Sequence, residues 1–129
     1  MPTDLISRLS AGRFPGDNAE VLEFLGWSEI STGTQDGFFS LWRCDDRQEM
    51  GLLPLDSLDD ALRLVPDGWR TDGVYQSMDG DYWVWPLLNI TAHNKDDYLG
   101  ASAWVTGEAP TAAVALTIAI LRAKEADRG

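Results

Sequence analysis

The sequence predicts a layered α+β sandwich, and three observations carry that expectation. Apolar residues recur at helical spacing in the first 27 residues and again over 56–65. Between 69 and 106 the period changes to two, around an Asp79-Gly80 turn signal. A long apolar helix then opens at Pro110. Helices, a three-stranded antiparallel sheet and a closing helix make one domain over 1–129 without internal repeats.

Element by element, Thr3 is the expected N-cap of a short amphipathic helix carrying Leu5, Ile6 and Leu9, broken by Gly12, Pro15 and Gly16. A second helix starts at Asp17 or Asn18, sets Val21, Leu22 and Leu25 inward, and ends where Gly26 supplies a C-cap glycine. Residues 28–55 are polar and turn-rich and read as an irregular excursion, in which 38–42 has the composition of a short strand and Asp45-Asp46 of a turn. Over 56–65, Ser57 caps a helix whose buried stripe is Leu58, Ala61, Leu62 and Val65. Pro66 ends it. Strands are expected over 69–77, 82–92 and 99–106, as a meander closed by Gly107. The last helix, 110–126, is apolar around most of its girth and so is expected to be packed deeply against the sheet.

Charge sets the style of partner. The 129 residues carry 10 Lys plus Arg against 21 Asp plus Glu, a formal net charge of -11. Such a surface repels phosphate backbones, so direct nucleic-acid binding is not expected, whereas a basic protein groove would attract it. The same acidity also has a plain reading as solubility. Cys44 is the single cysteine, which leaves no intramolecular disulfide and fits a reducing compartment. The N-terminus lacks the apolar run of a signal peptide, and the apolar stretch 112–121 is too short to span a bilayer. The expected location is cytoplasmic, with no membrane partner.

The sequence carries no recognisable catalytic constellation. His93 is the single histidine, and any Ser-His or Cys-His nucleophile would have to use it; its setting, AHNKDD, reads as a turn between strands. One His and one Cys do not make a zinc site. The doublets Asp45-Asp46, Asp59-Asp60, Asp79-Gly80-Asp81 and Asp96-Asp97 fall in turns and at a helix start, where Asp is favoured for backbone reasons. Tyr82 and Trp83 follow where an EF-hand would need ligands, and glycines 33 and 37 are too sparse for a P-loop. The expectation is a protein without enzymatic activity, cofactor or metal.

The six tryptophans are the compositional oddity. Trp83 and Trp85, two apart, point to one face of a strand, while Tyr82, Val84 and Pro86 point to the other. Helices on one face only would leave one aromatic set accessible beside acidic turns, the makings of an interface hot spot; helices on both faces would make every Trp core. The candidate partner-binding residues are therefore Asp45, Asp46, Asp79, Asp81, Trp83, Trp85, Asp96 and Asp97.

Four segments resemble a known family. SLDDALRLVPDGW (57–69), GEAPTAAVALTIAILRA (107–123), DLISRLSA and EVLEFLGW are similar to the signature segments and paired N-terminal helices of the phage ABA-sandwich family. The resemblance implies a helix–sheet–helix sandwich and a phage or prophage setting, often in proteobacteria, with no assigned activity and no catalytic residues to carry over. The aromatic hairpin and Phe38, Phe39 and Trp42 depart from the family's pattern. Taken with the acidity, the expected function is an accessory protein that blocks a host protein or nucleoprotein complex with a basic surface. An anti-CRISPR inhibitor of the DNA-mimic sort is its most concrete form. A self-associating structural or regulatory phage protein, a homodimer included, is the alternative. A sponge for a signalling nucleotide is a third reading, for which Arg47, Arg63, Arg70 and Lys95 are the few available cations.

Overall fold

A computed structural model describes residues 2–11, 17–31, 40–66, 68–89 and 104–128. In chain order these form α1 (Pro2–Ala11), α2 (Asp17–Phe24), β1 (Ser28–Ser31), β2 (Leu41–Cys44), β3 (Arg47–Met50), α3 (Leu58–Leu62), β4 (Trp69–Gln76), β5 (Tyr82–Asn89), β6 (Trp104–Val105), β7 (Glu108–Ala109) and α4 (Ala112–Arg128).

α1 buries Leu5 and Leu9, four apart on one face. Its Arg8 ties it to α2, pairing with Asp17 at 3.2 Å and with Glu20. α2 buries Val21 and Leu22 and closes in a Schellman motif: Trp27 N–H donates to the Leu22 carbonyl (2.9 Å) and Gly26 N–H to that of Glu23 (3.1 Å). Gly26, at φ 95°, takes the left-handed position that glycine occupies without strain. The motif sends Trp27 straight into the core and starts β1 one residue later.

Residues 28–50 correct the expected irregular excursion. Their described part is a three-stranded antiparallel sheet in the order β1-β2-β3, with a bulge in β1 between Glu29 and Ser31. Cys44 pairs with Arg47, so Asp45-Asp46 is a two-residue hairpin turn; Asp45 has φ 55°, a region Asp tolerates. Phe38 and Phe39 lie outside the described residues. α3 is shorter than the expected 56–65, and Ser57 caps it by accepting from Asp60 N–H at 3.3 Å.

The second sheet is the expected meander with a changed third line. β4 and β5 pair in register from Trp69 opposite Asn89 to Gln76 opposite Tyr82. On the other edge of β5, β6 pairs at Leu87 and Leu88, and β7 at Tyr82 and Trp83. Gly107 does not close the strand as expected: Val84 N–H donates to its carbonyl (2.9 Å) and pairing resumes beyond it. Three residues of β5, ending in Pro86, stand against Thr106 and Gly107, a one-residue bulge. Pro86 has no N–H to give a ladder, which makes this the place where the pairing can be interrupted.

α4 supplies the centre of the core, with 113–121 buried without interruption. It packs on β4, β5, β6 and β7 and against α1 and α3. Gly107 is the point of closest approach, since a Cβ there would collide with the carbonyl oxygen of Ala115 and stand 2.8 Å from the nitrogen of Ala119. The one buried polar side chain in this stretch, Thr117, donates to the Pro54 carbonyl at 3.3 Å. The fold is thus α+β with two antiparallel sheets, in place of the single sheet expected. Among the described residues, the helix that packs on the body of the second sheet is α4, on the face that carries Val74 and Val84.

Candidate functional site

Pairing across a strand places opposed side chains on the same face of a sheet. Tyr75 pairs with Trp83, and Trp83 with Glu108 on its other side, so the three form a row across the second sheet. The next register, Val74 with Val84, belongs to the core under α4. The row therefore stands on the face turned away from α4. Tyr75 is 45% exposed, Trp83 half-buried and Glu108 exposed. Trp85 pairs with Gly73 two residues along.

Beyond this row the hairpin turns over Ser77 to Asp81. Ser77 N–H donates to the Asp81 carbonyl (2.8 Å), and Gly80 N–H to that of Ser77 (3.0 Å), with Gly80 at φ 96°. This geometry lifts Met78 and Asp79 to the tip, both exposed, while Asp81 is half-buried. An apolar apex, a carboxylate beside it and an aromatic pair behind it lie along one hairpin.

Asp45 and Asp46 are exposed as well, but they belong elsewhere. With Arg47 and Lys124 they line a cleft of ≈ 340 Å³ floored by Leu25, Trp27 and Leu64. The Arg47 guanidinium lies 5.2 Å from the centroid of the Trp27 ring and donates to the Arg63 carbonyl at 3.2 Å. Lys124 sits in the last turns of α4, whereas Tyr82, next to the other acidic turn, pairs with Ala109 just before α4 begins. The path between is marked by Gly107 against Ala115 and Ala119, then by Arg122, which donates to the Thr106 carbonyl at 2.8 Å. The two acidic turns thus flank opposite ends of α4, separated by roughly 18 Å of helix from Ala112 to Lys124. They do not form one patch.

Asp96 and Asp97, together with His93 and Lys95, lie outside the described residues. Tyr75, Met78 and Glu108 were not among the candidate partner-binding residues read from the sequence. The strands read from the sequence, 69–77 and 82–92, leave a four-residue turn that would set 75 opposite 84; Ser77 belongs to the turn instead, which sets Tyr75 opposite Trp83. Glu108 could not be placed, because its register depends on the bulge at Pro86. Among the described residues, no three His, Cys, Asp or Glu side chains are grouped to hold a metal ion, and no helix is long and apolar enough to cross a membrane. No family model, no curated protein and no solved structure matches this chain.

Proposed function

We propose that this chain is a binding protein that docks on a basic protein surface through the β4–β5 hairpin. The observation that carries the reading is the Tyr75–Trp83–Glu108 row on the face turned from α4, continuous with the Met78-Asp79 tip. Aromatic side chains supply contact area at little entropic cost, and the carboxylates around them select a cationic partner. A net charge of -11 steers that encounter from a distance. The phage or prophage setting, and blocking of a host nucleic-acid-binding complex as an anti-defence inhibitor, enter this proposal through the family resemblance.

The test is recovery of host proteins on the tagged chain at low salt, followed by elution in a salt gradient. A nucleic-acid-binding complex that releases at moderate salt, and that a Trp83→Ala variant no longer retains, supports the reading. Retention unchanged by salt or by that variant overturns it. Recovery of the chain alone, with a doubled mass in solution, transfers the aromatic row to a self-association surface.

A further inference from the structure

We infer that the cleft beside the Asp45-Asp46 turn binds a small aliphatic α-amino acid as its zwitterion. Four segments converge on this cleft of ≈ 340 Å³: the β2–β3 turn, the close of α2, the chain that follows α3, and the last turns of α4. Its volume lies at the lower end of the range of small-molecule sites, where concavity and a few convergent polar groups give specificity. The cleft is distinct from the hairpin row and stands whether or not the hairpin docks.

Its construction follows from local structure. Cys44 and Arg47 are cross-strand partners, so the two-residue turn between them sets Asp45 and Asp46, both exposed, at one rim. Past α3, Leu64 is buried while Val65 and Pro66 stay half-buried. Lys124 follows the fully buried Ala123 in α4 and is itself half-buried. Leu25, Trp27 and Leu64 are nearly withdrawn from solvent and form only the base, so the apolar surface left to a visitor is Val65, Pro66 and the half-buried Cys44. That surface suits a short aliphatic chain.

The charges point to the ligand. Asp45, Asp46 and Lys124 line one cleft, yet none of the three makes an ion pair among the described residues. Half-burying an ammonium without a counter-ion costs free energy, the more notably in a chain of net charge -11 with carboxylates to spare. Arg47 is held over Trp27, on the Arg63 carbonyl and near Glu49, but half its side chain is exposed and its five N–H donors are not exhausted. A carboxylate is matched by Lys124 and Arg47, and an ammonium by Asp45 and Asp46. A plain anion is opposed by the two aspartates, and a plain cation by Lys124 and Arg47. The zwitterion is the class that answers both signs.

The test uses L-leucine as the probe, titrated into the intact chain at low salt while the backbone amide resonances of Cys44, Asp46 and Lys124 are followed. Isocaproate, which lacks the ammonium, and isopentylamine, which lacks the carboxylate, serve as comparisons. Saturable shifts are expected for leucine, with a Kd on the order of millimolar. Each comparison should bind roughly 5-fold more weakly, the loss of one good exposed charge contact. Leucine should also slow alkylation of Cys44, the single cysteine, by iodoacetamide in step with occupancy. Lys124→Gln should weaken leucine and isocaproate but not isopentylamine, whereas Asp45→Asn with Asp46→Asn should weaken leucine and isopentylamine but not isocaproate. A merely unfolded variant would lose all three, so this crossed pattern is specific to the site. No saturable shift, an equal Kd for leucine and either comparison, an unchanged Kd for leucine in both variants, or shifts confined to the β4–β5 hairpin would each overturn the inference. None of these outcomes depends on the hairpin's partner.

Discussion

Tyr75 and Trp83 stand directly opposite each other in the β4–β5 hairpin, one register step from the Val74–Val84 pair that lies in the core. That single step separates a structural face from an accessible one, because side chains alternate along a strand. Replacing Trp83 by Ala should therefore lower stability by only ~1–2 kcal/mol, the loss of a cross-strand aromatic contact and of partial burial. A core tryptophan such as Trp42, 4% exposed, should cost ~3–5 kcal/mol on the same change. Urea denaturation of the two variants gives the comparison. Equal losses would mean that Trp83 is a core residue and that the hairpin face is not free for a partner.

The separation of the acidic turns by the length of α4 makes them independent experiments. Under the hairpin reading, Asp79→Asn with Asp81→Asn should weaken a basic partner several-fold at low salt and reduce the salt dependence of binding, since exposed charge pairs are screened. Asp45→Asn with Asp46→Asn removes the same formal charge at the other end of α4 and should change affinity by less than about 2-fold through long-range steering alone. Isothermal titration at two salt concentrations distinguishes the pairs. Equal effects from both would show that net charge, not the hairpin, selects the partner.

How much of this was readable from the sequence depended on how strongly each segment repeats its period. α4 was legible because its apolar residues run almost unbroken and Thr111, which accepts from Val114 N–H at 3.3 Å, starts it one residue past Pro110. The β4–β5 hairpin was legible from Asp79-Gly80 and from alternation on either side. The first sheet was not. Its strands have four residues each, β3 is exposed or half-exposed throughout, and Trp42 is the one β2 residue fully withdrawn from solvent. Three short strands joined by turn residues look like a loop, because most of what holds them is long-range: Trp42 and Cys44 against the core, and Arg47 and Glu49 against Arg63. The carboxylates mark the hairpin tip in the sequence, while the structure adds a fully exposed apolar side chain there, Met78.

Gly107 allows a sharper stability prediction. Its Cα faces the α4 backbone with no room for a methyl group between Ala115 and Ala119. Gly107→Ala must push α4 away from the bulge in the second sheet, at the site where β5, β7 and the buried face of α4 meet. The expected cost is ~3 kcal/mol or more, at the upper end of overpacking effects. Gly80→Ala, at a turn position with nothing within 4 Å of an added Cβ, carries only the strain of φ 96° and should cost ~1 kcal/mol. Thermal unfolding of both variants tests the ordering. A smaller loss for Gly107→Ala than for Gly80→Ala would refute the packing of α4 described here.

Asn18 joins α2 to the segment before α3 and offers a test of how α2 is held there. Its side-chain oxygen accepts from Leu55 N–H at 2.8 Å and its nitrogen donates to the Asp56 carboxylate at 2.9 Å. Asn18→Ala leaves Leu55 N–H without this acceptor and should destabilise by ~2 kcal/mol. Asn18→Asp keeps the acceptor for Leu55 but sets a second carboxylate against Asp56, so it should lose the donated bond and add like-charge repulsion. Added salt should recover part of the loss for Asn18→Asp and little of it for Asn18→Ala, because only the former is a Coulomb effect between charges near the surface. Denaturation midpoints at low and high salt read the difference. A salt response of the same size in both variants would mean that the carboxylate introduced at position 18 feels no repulsion from Asp56, and would overturn the placement of the two side chains against each other.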